Sequence, residues 1–390
     1  MHYLDHAATT PLTPAAAQAF TAASQVLGNP SSAHGAGRAA RRVVEEAREQ
    51  VAANLGAAPA DVVFTSSGTE ADNLAVIGLA RAVLVRQPQR RRVLVSAVEH
   101  PAVREAAESL RGAGFDIGLL PVGRDGRVLV EAAARLIDET TALVSCLWAN
   151  NETGAIQPVA ELAGLAHAQG ALMHSDAVQA VGCCPVTLSG DTNLDALTVT
   201  AHKLGGPVGI GALIVRSDTE VMPLTFGGGQ ERRLRSGTVP VALIAAFAQA
   251  LADAVAQRPA ETTRLGVLSA RLMAGLAGLG AEITGPANDA LRSPAIVDAI
   301  FPGCRGDDLL LLLDQAGIAC SAGSACAAGV IRPSQVLLAM GYDETEASSA
   351  LRFSLGWTTA DDDITAALDA LPQALALARQ ATAAAQLGGL

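Results

Sequence analysis

Seven short apolar runs recur between residues 60 and 216, separated by polar or glycine-rich segments. They are VVFT (62–65), RVLVSAV (92–98), FDIGLLPV (115–122), TALVSCLW (141–148), ALMHSD (171–176), LDALTVT (194–200) and IGALIVR (210–216). Their length and their branched residues are typical of strands. Stretches with apolar residues at helical spacing, such as 101–110 and 159–168, lie between several of them. This alternation predicts an α/β fold with a large, mainly parallel seven-stranded sheet and helices on both faces.

Helical patterns precede and follow this sheet. Gly35–Leu55 carries apolar residues at helical spacing, and Gly56 follows it as a typical residue just beyond a helix end. Residues 239–256 predict a long apolar helix that ends at QRPAETTRL (257–265), where a proline and charged residues interrupt the pattern. We therefore predict a domain boundary at this interruption.

A smaller α/β domain is predicted for the rest of the chain. A helix to about Leu279 is followed by a strand near 296–301, a helix near 307–315 and a strand at 351–356. We expect residues 13–257 to form the large domain, and residues 1–12 together with 258–390 to form the small one.

The composition excludes several classes of protein. A formal net charge of −11 opposes a nucleic-acid surface, which needs a positive field. The best candidate for a membrane span, Val239–Val255, is interrupted by Gln249 and Asp253, and no signal pattern is present, so we expect a cytoplasmic protein without a membrane partner. Six cysteines without a C-x-x-C pair indicate neither a disulfide framework nor a structural zinc site, and no metal is expected.

Polar residues follow five of the predicted strands at the point where each ends. They are SSGTEADN (66–73), Glu99-His100-Pro101, Asn150-Asn151-Glu152, Asp176 with Gln179, and His202-Lys203. Each group alone is more typical of a turn or a helix cap, by about two to one. Because ligands of open α/β sheets bind outside the carboxyl ends of the strands, the five together indicate one site.

The residue types in this set favour pyridoxal phosphate (PLP). Small residues at a helix N-terminus suit a phosphate. A lysine can form a Schiff base, an aspartate can hold a pyridinium nitrogen protonated, and an imidazole can stack on a flat ring. Dinucleotide binding is disfavoured because GGPVGIG (205–211) runs into a strand, and the commonest ATPase, hydrolase and zinc-protease motifs are absent.

With these residues in place, the chain resembles the cysteine desulfurases, in the class V aminotransferase group of fold-type I PLP enzymes. The matching motifs are YLDHAATTP (3–11), GNPSSAHGAGRAAR (28–41), VVFTSSGTEADN (62–73), VEHPAV (98–103), NNETGAIQP (150–158), HSDAVQAVG (174–182), TAHKLGGPVGIGAL (200–213), GGGQERRLRSGTVP (227–240), SAGSACAAG (321–329) and LRFSLG (351–356). The resemblance implies the aspartate aminotransferase-like fold of a PLP-dependent transferase.

The resemblance also implies a role for each matching residue. Lys203 would bind the aldehyde of PLP, Asp176 would pair with the ring nitrogen, Gln179 would bond to the ring oxygen, and His100 would stack on the ring and move protons. The phosphate would be held by Gly68, Thr69, Thr200 and His202, joined by Thr238 from the other subunit of a homodimer. Asn151 and Arg352 would bind the carboxylate of L-cysteine, and Cys326 would accept the sulfur.

The implied reaction converts L-cysteine to L-alanine and leaves a persulfide on Cys326 for a sulfur-acceptor protein, such as an iron–sulfur scaffold. The loop around Cys326 is closest to that of the iron–sulfur and nitrogenase-associated subgroup. Cys320 ends the apolar stretch GIAC and is predicted to be a packing residue. Cys183 and Cys184 are also predicted to be packing residues. The run RQPQRRR (86–92) is predicted to be a solvated loop rather than a contact surface for an acidic protein or RNA.

Two alternatives remain open at this stage. Another class V activity, such as selenocysteine lyase or aminotransferase, would share the PLP site. A non-catalytic scaffold would keep the fold only for docking, but it has no reason to retain both Lys203 and Cys326. The acceptor of the persulfide also stays open between iron–sulfur assembly, nitrogenase maturation and tRNA thiolation.

Overall fold

The computed structural model describes residues 1–322 and 333–388. The strands are β1 (His2–Tyr3), β2 (Val62–Thr65), β3 (Arg92–Ser96), β4 (Asp116–Leu120), β5 (Thr141–Ser145), β6 (Leu172–Asp176), β7 (Ala196–Thr200), β8 (Gly211–Val215), β9 (Glu282–Ile283), β10 (Ile296–Ile300), β11 (Ile318–Ala319), β12 (Ser321–Ala322) and β13 (Ala350–Ser354). The helices are α1 (Pro14–Ser24), α2 (Gly35–Asn54), α3 (Gly68–Arg86), α4 (Pro101–Ser109), α5 (Val130–Leu136), α6 (Val159–Ala168), α7 (Val241–Gly278), α8 (Gly306–Gln315), α9 (Gln335–Ala339), α10 (Glu344–Ser348) and α11 (Asp361–Gly388).

The central sheet has the strand order β2-β8-β7-β6-β5-β3-β4. Its neighbouring strands are parallel except that β8 runs antiparallel to both β2 and β7. All seven predicted strands are present, and most are shorter than their apolar runs. The run 92–98, for example, leaves the sheet after Ser96, whose Oγ accepts a hydrogen bond from the backbone N–H of Val98 at 3.2 Å.

Helices cover both faces of this sheet, as predicted. Successive residues of a strand point to opposite faces, so Val93 and Val95 pack with α3 and α4 while Leu94 packs with α2 and α6. α2 spans the predicted residues and buries Ala40, Val44, Ala47 and Val51. The sheet is therefore buried on both sides, and its polar residues lie where the strands end.

Helix α7 corrects the prediction of a helix break at residues 257–265. It continues through Pro259 for 38 residues. Its first half buries Phe247 and Leu251 against the central sheet, and its second half buries Leu272 and Leu276 in a second core. Packing at both ends outweighs one interior proline, which costs a helix about 3 kcal/mol. By length and composition α7 is also the one described helix able to cross a membrane, a test that helices in soluble cores pass as well.

The second core surrounds a smaller sheet of strand order β12-β13-β10-β9. Helices α8 and α11 and the second half of α7 pack on this sheet. The strands predicted near 296–301 and 351–356 are confirmed as β10 and β13, and the helix near 307–315 as α8. β1 pairs with β11, which joins the start of the chain to this core. The domain boundaries after residues 12 and 257 stay a prediction.

The arginine-rich run 86–92 forms the end of α3 and the loop before β3. Arg90 donates to the backbone carbonyls of Thr141 and Gln169 at 2.8 and 2.7 Å. Arg92 pairs with Asp116 and Asp138. Those two side chains thus bind the amino-terminal edge of the sheet, which agrees with the predicted loop and leaves less free charge for a partner.

Candidate active site

The five polar groups that follow predicted strands lie at one edge of the central sheet. β2, β3, β5, β6 and β7 run in the same direction, because β8 is antiparallel to both β2 and β7. Their carboxyl ends therefore meet, and the five polar groups that follow them converge. This edge is the usual ligand site of an open α/β sheet.

The N-terminus of α3 provides unpaired backbone N–H groups at this edge. Ser67 caps the helix by accepting from the N–H of Glu70 at 3.0 Å, and Gly68 is the first helical residue. A Cβ on Gly68 would lie 3.2 Å from Val178 and 3.6 Å from Thr200, so the helix start is packed against two other strand ends. Thr69 is exposed beside Gly68. Such a helix start binds anions through its N–H groups and the helix dipole.

Asp176 ends β6 and is 9% exposed. One carboxylate oxygen, Oδ1, accepts from the backbone N–H of Val178 at 2.8 Å. Burial raises the pKa of Asp176 to about 6, although that hydrogen bond and the charge of Lys203 act in the opposite direction. A buried carboxylate with one oxygen held in place is suited to pair with a cationic ring nitrogen.

His100 caps the N-terminus of α4 and is partly exposed. Its Nδ1 accepts from the N–H of Ala102 at 3.1 Å, which assigns the ring proton to Nε2. Burial, followed by the charges of Lys203, Arg104 and Arg352, lowers the pKa of His100 to about 4. The imidazole is therefore neutral at pH 7, as stacking on a ring and accepting a proton both require.

Lys203 lies in the short 3-10 helix after β7, and its amine contacts the start of the chain. Nζ donates to the carbonyl oxygens of Ala7 and Ala8, the latter at 2.7 Å. Gln179 Nε2 donates to the same carbonyl of Ala7 at 2.9 Å. His202 Nδ1 lies 3.2 Å from Thr9 Oγ1. The segment 7–9 thus positions three of the predicted site residues.

Arg352 extends from β13 towards the same edge and is 7% exposed. Nη2 pairs with Asp5 at 2.8 Å, and Nη1 donates to the backbone carbonyl of Asn151 at 2.9 Å. Nε is buried without a partner among the described residues. The structure therefore brings Arg352 and Asn151 together, as predicted, and adds Asp5 as a partner that the sequence did not suggest.

Two further buried carboxyls lie near Asp176. Asp72 of α3 is 2% exposed and Glu99 is 4% exposed. Burial, reinforced by the charge of Asp176, raises the pKa of both well above the ordinary range. Glu99 precedes His100 in VEHPAV, and Asp72 lies three residues after Thr69 in VVFTSSGTEADN, so these motifs were the signal available in the sequence. The charge of Asp176 thus opposes the ionisation of both neighbours.

Thr200 and Thr238 occupy different settings. Thr200 is buried and donates from Oγ1 to the carbonyl of Ile210 at 3.1 Å. Thr238 is exposed and follows a turn anchored by two ion pairs, Arg48 with Glu231 and Arg235 with Glu70. Thr238 is thus held on the surface by its own subunit.

Of the two cysteines Cys320 and Cys326, the structure describes only the first. Cys320 is 9% exposed, and burial raises the pKa of its thiol to about 12. It packs in the second core, as predicted. Cys326 lies outside the described residues.

The described residues fit PLP in charge and shape. The N-terminus of α3 offers N–H groups to a phosphate, and Gly68 is closely packed there, since an added Cβ would lie 3.2 Å from Val178. Asp176 offers a carboxylate to a ring nitrogen, and Lys203 offers an amine to an aldehyde. This donor set has both the anion site and the cation partner that the cofactor needs.

Known proteins match this chain over nearly its whole length. The model of the family "Aminotransferase class-V" matches residues 2–367. An IscS-like cysteine desulfurase of Mycobacterium tuberculosis is 47% identical, with 99% of each chain covered. Cysteine desulfurase NifS of Azotobacter vinelandii is 38% identical, covering 97% of this chain and 93% of that protein. The solved structure of a NifS-like protein superposes with a TM-score of 0.89 at 35% identity, covering 96% of this chain and 99% of that one.

These findings confirm the predicted fold and the predicted activity. Fold-type I enzymes have the mainly parallel sheet seen here, and relatives at 36–47% identity over nearly the full length are cysteine desulfurases. Class V enzymes of this kind use PLP, take cysteine as substrate and pass sulfur to acceptors. The chain belongs to the class V aminotransferase family, as one of its cysteine desulfurases.

Proposed function

We propose that this chain binds PLP at the carboxyl edge of its central sheet and forms L-alanine and a Cys326 persulfide from L-cysteine. The convergence of Lys203, Asp176 and His100 on that edge is the observation that carries the proposal. When bound, the cofactor withdraws electrons from the substrate's Cα and so supports proton removal there.

The charge and position of each site residue indicate a separate role for it. Lys203 would bind the aldehyde of the cofactor, and its amine would be the group that moves the substrate's Cα proton. Asp176 would hold the ring nitrogen, Gln179 would bond to the ring oxygen, and neutral His100 would stack on the ring and take up or return a proton. Gly68, Thr69, Thr200 and His202 hold the phosphate, while Asn151 and Arg352 hold the substrate carboxylate.

Sulfur transfer falls to Cys326. A thiolate attacks the substrate sulfur, the carbon–sulfur bond breaks, and the sulfur remains on the enzyme as a persulfide. The carbon skeleton gains protons and leaves as alanine. The chemistry corresponds to cysteine desulfurase, EC 2.8.1.7.

A homodimer completes the proposed site. Thr238 is exposed at the surface, where it can reach the phosphate of a second subunit. The persulfide then passes to an acceptor protein such as an iron–sulfur scaffold in the cytoplasm. Neither a membrane nor nucleic acid takes part.

One experiment tests the proposal. Purified holoenzyme is incubated with L-cysteine, and alanine and sulfide are measured for the wild type, Lys203→Ala and Cys326→Ser. We expect stoichiometric alanine and sulfide in the presence of a thiol reductant, and a loss of at least a hundredfold in both variants. Borohydride reduction followed by peptide mass spectrometry should find the cofactor on the Lys203 peptide. A wild type that binds the cofactor but forms no alanine contradicts the proposal, and activity with L-selenocysteine alone would favour the lyase.

A further inference from the structure

Cys183 and Cys184 form a pair of thiols beyond the site residues described above. They lie in the turn that follows Asp176 and Gln179. The two Sγ atoms are 3.8 Å apart, and Cys183 Sγ is 3.3 Å from Ser293 Oγ. Cys184 is 3% exposed and packs in the core, as predicted, but Cys183 is only half-buried. The prediction of packing therefore holds for one of the two.

A cavity of about 420 Å³ explains the exposure of Cys183. Lys203 and Gln179 line it together with Cys183, and Asp253 of α7 and Trp357 contribute to its wall. Its volume is typical of a small-ligand site. The cavity lies where the first residues of the sequence, α7 and the residues after β13 meet. No local sequence pattern therefore predicts it. Cys183 and the proposed catalytic lysine thus line the same cavity.

Two groups that can donate a hydrogen bond contact the Cys183 sulfur, Cys184 Sγ and Ser293 Oγ. Its own S–H can donate to the backbone carbonyls of Gln179 and Ala180 at 3.6 and 3.4 Å. The thiol of Cys184 lowers the pKa of Cys183, Ser293 and the charge of Arg258 act in the same direction, and burial opposes them. The other described thiols have raised pKa values, through burial for Cys146, Cys304 and Cys320 and through the contact with Cys183 for Cys184. Among the described cysteines, Cys183 is thus the one whose pKa is lowered, which favours the thiolate, the nucleophilic form.

We propose that Cys183 is a second sulfur-accepting thiol, which takes the outer sulfur of a persulfide that reaches the cavity. The inference rests on the proposed function, since that reaction supplies the persulfide. The Cys183 thiolate attacks the outer sulfur of R–S–SH, and a new sulfur–sulfur bond forms. The old sulfur–sulfur bond breaks, and R–S⁻ leaves with the electron pair, so that R–S–SH and Cys183–S⁻ become R–S⁻ and Cys183–S–SH. No oxidant or reductant is consumed.

The neighbouring Cys184 does not readily attack this persulfide to form a disulfide. Adjacent Cα atoms are about 3.8 Å apart across a trans peptide, whereas disulfides usually need about 4.4–6.8 Å. No cis peptide bond is present in the described chain. Cys184 is therefore placed to donate a hydrogen bond to the sulfur of Cys183 rather than to close a disulfide with it.

The test locates extra sulfur by peptide mass spectrometry after persulfides are trapped with an alkylating reagent. Wild-type holoenzyme is given L-cysteine, and Cys326→Ala holoenzyme is given glutathione persulfide. We expect one additional sulfur on the peptide that contains Cys183 in both arms. Labelling in the first arm alone identifies the protein-bound persulfide as the source, and labelling in the second arm shows that a free persulfide suffices.

Matched variants separate a specific site from general thiol reactivity. Cys183→Ser should lose that label while alanine formation stays within twofold, so a failure of the desulfurase itself is recognised separately. Ser293→Ala should slow iodoacetamide labelling of Cys183 at pH 7 by roughly three- to tenfold, and Cys320→Ser should leave it unchanged. Absence of the extra sulfur in both arms, or labelling of Cys183 no faster than that of Cys320, overturns the proposal.

Discussion

The carboxylate of Asp5 lies 2.8 Å from Nη2 of Arg352, although the two residues are 347 positions apart. The side chains are 20% and 8% exposed, so water screens the pair poorly. Because Arg352 is the proposed anchor of the substrate carboxylate, Asp5 places a second negative charge at the same guanidinium. The affinity for substrate therefore depends on a residue that need not touch it.

Replacing Asp5 with asparagine should strengthen the binding of L-cysteine. Asparagine keeps an oxygen that accepts from Nη2 but removes the charge that repels the substrate carboxylate. We expect the KM for L-cysteine to fall roughly three- to tenfold, which corresponds to about 1 kcal/mol, with kcat within twofold. Binding of the product L-alanine to holoenzyme gives an independent check. A raised KM would instead show that Asp5 positions Arg352.

Glu152→Gln should flatten the dependence of stability on pH. Glu152 accepts a hydrogen bond from Ser334, and burial raises its pKa to about 7 from 4.5. Between those pH values the unfolded chain ionises while the folded chain does not, so the wild type loses stability as pH rises. The loss should reach about 3 kcal/mol at most by pH 7. Denaturant unfolding at several pH values measures it, with the exposed Glu161→Gln as a control that should follow the wild type.

Arg48→Met should destabilise the protein far more than Arg86→Met. Arg48 binds Glu231 through two hydrogen bonds of 2.9 and 2.8 Å, and Glu231 is 3% exposed. Removal of the arginine leaves a buried carboxylate without its cation, which costs about 3–5 kcal/mol. Arg86 and Glu220 form an exposed pair, worth about 0–1 kcal/mol. Unfolding in urea compares the variants, and equal losses would refute the role of burial.

Pro259→Ala should stabilise the protein. The proline lies inside α7 and has no N–H to donate to the carbonyl four residues earlier. We expect a gain of roughly 1–3 kcal/mol in the free energy of unfolding. Pro14→Ala, at the first turn of α1 where no such bond is needed, should change little. A loss of stability in Pro259→Ala would mean that α7 requires the bend that a proline introduces.

The sequence predicted the central sheet and much of the site because both depend on local patterns. Apolar runs mark the strands, and polar residues at their ends mark the edge where ligands bind. Asp176, His100 and Lys203 were identifiable because each directly follows, ends or lies beside such a run.

Other features depend on contacts between distant segments and have no local signature. The backbone carbonyls of Ala7 and Ala8 contact Lys203 across nearly 200 residues, and a carbonyl is the same in every residue type. Pro259 predicted a helix end because the two cores that hold α7 are not visible in its own sequence. Cys183 faces a cavity that exists only after three segments have met.

Because β1 pairs with β11, the segment that contains β1 can reach its final place only late in synthesis. All seven strands of the central sheet have been synthesised by residue 215. β1, in contrast, has no pairing partner until Ile318 and Ala319 of β11 have been made. Ala7 is tied to the same late event, since its N–H donates to Ser354 Oγ at 2.8 Å. Domains generally fold in the order in which the ribosome delivers them. The residues whose carbonyls hold Lys203 are therefore translated before the central sheet, but they reach their places only after β11 and Ser354 have been made.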